Sequence, residues 1–182
     1  MRLALFAIAA VIIALAGSPG CADDGGLGAL EGRWALDRDA PDSFDPVMKA
    51  LEVPWLLRRL AGVGSIEFGL EVIPVEACAD CPLRIRMSEA TPVRATEYEV
   101  TTDGVFRDGT DPAGNETRDA WTSPSEGRLR LERTRTLPSG KKTRITDTRS
   151  IGTTPNEMIS ILTVNIDREP APESRRVFVR LP

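Results

Sequence analysis

Histidine is absent from the 182 residues. Its absence removes Ser-His-Asp catalysis, Cys-His catalysis and histidine-ligated metals together. Cysteine is scarce, with only Cys21, Cys78 and Cys81. Structural zinc needs four ligands, and no second C-x-x-C accompanies Cys78-Ala79-Asp80-Cys81. A thioredoxin-type C-x-x-C opens a helix after a strand, but this one precedes Pro82 and a strand pattern. A disulfide between Cys78 and Cys81 that tightens a loop is the expectation, with a redox role as the alternative. An excess of positive charge is also missing. The net charge is −4, which speaks against nucleic acid as a partner. No pair of carboxylates is marked out by spacing or setting, so no enzyme, cofactor or metal is expected. The acidic stretch 108–119 matches no calcium-loop spacing and reads as a solvated loop. Repeats, heptads and low-complexity tracts are absent as well.

One apolar run stands at the start, residues 3–16 behind Arg2. At about 1.5 Å per residue it falls short of the roughly 30 Å of a bilayer core. A charged start, a short apolar run and small residues after it describe a secretory signal. Two ends are open. Ala14-Leu15-Ala16 is an A-x-A cleavage site, and Cys21 could instead be the acylated first residue of a bacterial lipoprotein. Ser18 stands where a lipoprotein signal usually has a larger aliphatic residue. Lipidation of Cys21 would explain an odd cysteine in an oxidising compartment. The expected organisation is a signal peptide over 1–20, a short tether over 21–29 and one domain over 30–182. The expected location is exported: periplasm, outer membrane through lipidated Cys21, or secreted.

Helical spacing is confined to one stretch, residues 43–62. Ser43 can cap a helix and Pro46 sits in its first turn. Phe44, Val47, Met48 and Leu51 lie on one helical face. Pro54 suits the first position of a second helix, along which Val53, Leu56, Leu57 and Leu60 repeat the spacing. Each helix is too short to be stable alone, so both are expected to lay their apolar faces on something. Beyond Gly64 the period becomes two. Short alternating segments follow at regular spacing, divided by turn signals such as Asp103-Gly104, which predicts a hairpin back through 105–108. The pattern predicts a mainly β protein, an up-and-down antiparallel sheet or barrel.

The start of the pattern resembles a known family. Gly32, Trp34, Phe44, Asp45, Met48, Lys49, Ala50, Leu51 and Val53 fit, in order, the G-x-W strand and the F-D-x-x-M-K-A-L-x-V helical run that open the fatty acid-binding proteins. The lipocalins are a related alternative, but they place their helix after the barrel. The resemblance implies a barrel of about ten strands, with a helix-turn-helix lid between the first two. It also implies that Trp34 plugs the closed end, under an arginine. Chains of that family are shorter and cytosolic.

The resemblance implies a ligand as well: a small hydrophobic or amphipathic molecule, fatty acid-like, whose carboxylate meets arginines inside. An envelope-anchored module with a filled barrel is the alternative. In the family an Arg-x-Tyr pair on the last strand binds the carboxylate. Arg176-Val177-Phe178 stands there, with phenylalanine for tyrosine, and Asp147 stands at a second family arginine. Read by alternation, Arg133 and Arg135 share a face with Leu129 and Leu131, and Asp147 and Arg149 share one with Ile145. A buried arginine needs an acid or a ligand, because an unpaired buried charge is costly. Asp147 could supply that acid to Arg149 or Arg133. The candidate ligand-binding residues are therefore Arg176, Phe178, Arg149 and Arg133, with Phe44, Met48, Leu51 and Val53 from the lid.

Overall fold

The computed structural model describes residues 26–40, 44–73, 81–91, 94–111, 115–124 and 127–182. Ser43, Cys21, Cys78 and the signal segment fall outside them. The chain enters through a short 3-10 turn, Leu27–Leu30, and β1, Gly32–Leu36. Helices α1 (Asp45–Ala50) and α2 (Trp55–Val63) follow. The remaining chain is strand: β2 Glu67–Ile73, β3 Arg84–Thr91, β4 Arg94–Thr101, β5 Arg107–Thr110, β6 Glu116–Thr122, β7 Arg128–Thr136, β8 Lys142–Ile151, β9 Glu157–Ile166, β10 Glu169–Pro170 and β11 Ser174–Arg180.

All of these strands belong to one antiparallel sheet. Its order is β4-β3-β2-β1-β11-β9-β8-β7-β6-β5, with the two-residue β10 beside β9. Pairing of the first strand with the last curls the sheet on itself: Trp34 lies opposite Arg180 and Leu36 opposite Phe178. The expected up-and-down architecture, with its helix pair between the first two strands, is the one found.

Three details differ from the sequence reading. Strands β4 and β5 form no hairpin; they are the two edges of the curled sheet. The Asp103-Gly104 turn carries the chain across a gap instead, with Gly104 at φ +71° and Asp103 bridged to Thr122. Asp103 accepts the Val105 N–H and two bonds from Arg107, so its carboxylate ties the turn to itself. The Arg107 hydrogen bonds and then the Val105 N–H draw its pKa down to about 2. Second, the stretch read as a solvated acidic loop is largely the β5–β6 hairpin, because Asp111 and Asp119 find arginines to face. Third, structure reaches back into the segment read as a tether: Leu27 is completely buried, beside Leu30 at the start of the expected domain.

Two apolar clusters fill the curl. At the closed end Leu27, Leu30, Trp34, Phe68, Leu70, Met87, Leu129 and Met158 pack together. At the other end Val47 and Leu51 of the lid pack on Leu137, Ile145, Leu162 and Val164. Among the described side chains, this packing comes from the first lid helix and the residues that flank it. On α2, Trp55 and Leu56 are more than 60% exposed and Leu57 also faces solvent, against the expectation that both helices would lay their apolar faces down. The reason is local. Glu52 takes a left-handed conformation, φ +58°, between the helices. Arg58 then binds the Asp45 carboxylate at 2.8 and 2.9 Å, holding α2 to α1 rather than to the sheet.

Candidate functional site

Between the two apolar clusters lies a layer of charge. It arises from register. Arg149 of β8 lies opposite Ser160 of β9, which lies opposite Arg176 of β11. Inward faces alternate with period two, so Asp147 and Arg149 point inward together, as do Arg176 and Phe178. Asp147 is at the centre. Its Oδ2 accepts from Arg149 Nε at 3.1 Å and Nη2 at 3.0 Å, and from Arg176 Nη2 at 3.3 Å. Its Oδ1 accepts from the Ser160 hydroxyl at 2.6 Å, and that hydroxyl accepts from Arg176 Nη2 at 2.7 Å.

Burial opposes ionisation of Asp147, yet Arg149, Arg176 and Ser160 outweigh it and hold the carboxyl below its ordinary value. Burial pushes Arg176 below the usual guanidinium range, against the pull of Asp147. For Arg149 the balance goes the other way: burial lowers its pKa, but Asp147 and then Glu89 raise it overall. Both guanidinium planes also lie on aromatic faces. Arg149 sits 4.0 Å from the Phe68 ring centre, and Arg176 sits 4.9 Å from that of Phe44 and 5.7 Å from that of Phe178. Such stacking suits arginine because its weakly hydrated plane tolerates an apolar neighbour.

The network extends toward the sheet's open edge. Arg149 Nη2 lies 3.6 Å from Glu89, whose carboxylate accepts from the Tyr98 hydroxyl at 3.0 Å. Burial first, then the Glu89 charge, push the Tyr98 pKa up. Arg133 makes a two-pronged pair with Asp119, at 2.9 and 2.6 Å. Sequence reasoning left Asp147 open to Arg149 or Arg133; it serves Arg149 and Arg176, and Arg133 has its own acid.

The lid is strapped to this layer. Arg135 pairs with Asp111 and donates through Nη2 to the Leu51 carbonyl at 3.1 Å. Glu52 accepts the Ser139 N–H from the β7–β8 turn at 3.0 Å, and hydrogen bonding from Ser139, its side chain first and then its backbone, draws the Glu52 pKa down. A charge-assisted hydrogen bond contributes about 1.5–3 kcal/mol. Replacing Arg135 with methionine should therefore loosen the lid. Amide exchange at Met48, Leu51 and Val53 should quicken by at least about tenfold. Unchanged exchange at these positions would rule the strap out.

Of the residues expected from sequence, Arg176, Phe178 and Arg149 meet in one cluster, with Phe44 above it. Arg133 stands further round the sheet. Leu51 and Val53 join the lid cluster, while Met48 is buried outside both clusters. Val47 packs in the lid cluster instead. Sequence reasoning missed Glu89, Tyr98, Ser160, Asp111 and Asp119. The signal for most was alternation: Glu89 shares a face with Ile85 and Met87, Ser160 with Met158 and Leu162, Asp119 with Trp121. Among the described residues no cluster of acids and cysteines could hold a metal ion.

A cleft of about 420 Å³ opens between β4 and β5, lined by Glu89, Tyr98, Asp119, Trp121 and Arg133 among others. It leads from solvent to the charged layer. A larger hollow of about 1510 Å³ spreads over the ends of β5 to β9, with Arg118, Thr134 and Arg144 of the sheet's outer face in its wall. Arg135 also stands in its wall, whereas Arg149 and Arg176 do not.

A lid pair between strands one and two, a sheet closed through its first and last strands and a gap after the fourth define a known architecture. The chain has the fold of a fatty acid-binding protein. A Schistosoma mansoni fatty acid-binding protein in complex with arachidonic acid superposes with a TM-score of 0.64 at 18% identity, covering 86% of this chain and 99% of that one. As-p18, an extracellular fatty acid-binding protein, gives 0.63 at 13% identity with the same coverage. Secretory abundant heat soluble protein 4 from Ramazzottius varieornatus gives 0.56 at 15% identity, covering 84% and 94%. No family model and no curated protein matches the sequence.

Proposed function

We propose that this protein is a carrier, not an enzyme, and that it binds a small amphipathic ligand of lipid chemistry inside the curled sheet. The observation that carries the reading is the position of the polar cluster. Arg176 and Arg149 lie between two apolar clusters, roofed by Phe44 of a lid held down by side-chain bonds, and reached from the side through a cleft. An interior with a polar centre, apolar flanks and a cover that can lift suits an amphiphile. Two neighbours in fold support it, since both are fatty acid-binding proteins and one is described with arachidonic acid. Arg176 and Arg149 are assigned the polar end of the ligand. Phe178, Phe44, Leu51 and Val53 are assigned its apolar part, with Met48 behind the lid and Arg133 at the cleft. The test is native mass spectrometry of protein purified from its own host, followed by titration with fluorescent long-chain probes. A co-purified mass of lipid size, displaced by the probe, is expected. A bare chain that binds neither a fluorescent fatty acid nor its ester would end the reading.

The proposal places the carrier outside the cytoplasm, with Cys21 as lipid anchor or with cleavage after Ala16, and with Cys78 bonded to Cys81. Such a small disulfide loop should add at most about 2 kcal/mol. Intact mass of the exported chain tests these points together. It gives the first residue, shows a lipid that is lost on Cys21→Ser, and shows the two hydrogens lost on forming the bridge.

A further inference from the structure

A carboxylate carried into the interior needs a partner for its charge, and here the arginines that could serve are already matched. Each of the four arginines of the charged layer faces an acid of the chain. Arg176 and Arg149 share Asp147, Arg149 also approaches Glu89, Arg133 holds Asp119 and Arg135 holds Asp111. Four acids balance four arginines. A ligand carboxylate seated on Arg176 or Arg149 would have to displace Asp147 or lie beside it, and like charges in a buried site exclude one another. The way in is no friendlier to an anion, for Glu89 and Asp119 both stand in the wall of the cleft.

What the cluster does lack is acceptors. Arg149 Nη1 and Arg176 Nε are buried and have no protein acceptor. Arg149 as a residue is only 8% exposed. A buried donor left unmatched is costly, and an uncharged oxygen satisfies it without adding a second negative charge beside Asp147. We infer that the interior of this protein selects an uncharged amphiphile, a long-chain ester, amide or alcohol, over a free carboxylate. Asp147 is the selecting residue, occupying as a resident acid the place where a fatty acid's head group would bind. This rests on the carrier reading above and sharpens it to a ligand class.

The test is a paired titration. A fluorescent polyene fatty acid and its methyl ester are compared on the full-length protein at neutral pH, so that the two probes differ only in charge and one methyl. The ester should bind at least about tenfold tighter. Asp147→Asn keeps the volume and removes the charge, freeing Arg149 and Arg176. The acid should gain about tenfold or more in that variant, and the preference should shrink or reverse. Acid binding as tight as ester binding in the unaltered protein overturns the inference and leaves the carrier reading standing. That comparison needs no variant, so it holds even where Asp147→Asn folds poorly. Binding of neither probe overturns both readings, because it removes the site itself.

Discussion

Asp147→Ala is expected to destabilise the protein by about 3–5 kcal/mol, the usual cost of removing one partner of a buried ion pair. The substitution leaves Arg176 with only a serine hydroxyl, and leaves Arg149 with the more distant Glu89. Domains of this kind are stable by about 5–15 kcal/mol in all. A loss of this size should lower the melting temperature by roughly 6–20 °C at this chain length. Urea titration measures it directly, and a loss below about 1 kcal/mol would mean that the network is solvated rather than buried. The pH dependence has a definite sign. The folded-state pKa of Asp147 lies below its ordinary 3.8, so its contribution is complete above that value and fades as pH falls through the lower, folded value. The unaltered protein should therefore weaken in acid more steeply than the Asp147→Ala variant. Replacing the whole cluster tells stability from function. Asp147→Leu with Arg149→Met and Arg176→Met should recover most of the loss, since apolar substitutes for buried ion pairs are often neutral or better. Such a variant would be folded but would lack the polar end of the proposed site.

Alternation made the faces of β7 and β8 readable, because the period of a strand fixes which side chains share a face. It grouped Arg133, Arg135, Asp147 and Arg149 with the apolar residues that point inside, whereas on β11 both faces carry apolar residues and it was the resemblance at Arg176-Val177-Phe178 that pointed Arg176 and Phe178 inward. The first short helix was readable from Pro46 and the spacing of Phe44, Val47, Met48 and Leu51, and the second from Pro54 and the spacing of Val53, Leu56, Leu57 and Leu60. What alternation cannot supply is the neighbour across the sheet. Asp119 and Arg133 are 14 positions apart in sequence, and only the β6–β7 register sets them opposite each other. The separation of β4 from β5 was hidden for the same reason. Asp103-Gly104 has the chemistry of a tight hairpin, but that chemistry is equally served by a turn whose strands part. On α2 the spacing of Val53, Leu56 and Leu57 describes an amphipathic helix without saying what it faces. The Glu52 turn and the Asp45–Arg58 pair settle its direction, and neither has a sequence signature.

Trp34→Ala should be the most damaging substitution at the closed end. The indole is completely buried and its Nε1–H donates to the Leu30 carbonyl at 2.9 Å. The Arg180 guanidinium lies 4.1 Å from the ring centre and donates to the Ala29 and Glu31 carbonyls, so the ring, the arginine and the 3-10 turn form one plug. The resemblance implied such a tryptophan under an arginine; the structure adds that the arginine also clamps the residues just ahead of β1. Removing the ring creates a cavity, orphans the Leu30 carbonyl and leaves Arg180 without its stacking partner. Truncations of this size cost about 3–5 kcal/mol. Trp34→Phe separates the contributions. It retains most of the apolar volume and a face for Arg180 but no donor, so it should cost about 1–2 kcal/mol, near the value of one hydrogen bond with a small packing defect. Denaturant titrations of both variants give the two numbers. Equal losses would assign the stability to the Leu30 hydrogen bond alone. A near-neutral Trp34→Phe would assign it to ring burial. Binding gives a further check. Trp34 belongs to the apolar cluster beneath Phe68, and Phe68 stacks on Arg149, so a cavity at Trp34 should loosen the ring that orients Arg149. Trp34→Phe should leave the affinity for the ester probe within about twofold of the unaltered protein. Trp34→Ala, under conditions where it stays folded, should weaken it by about tenfold, a change of about 1.4 kcal/mol.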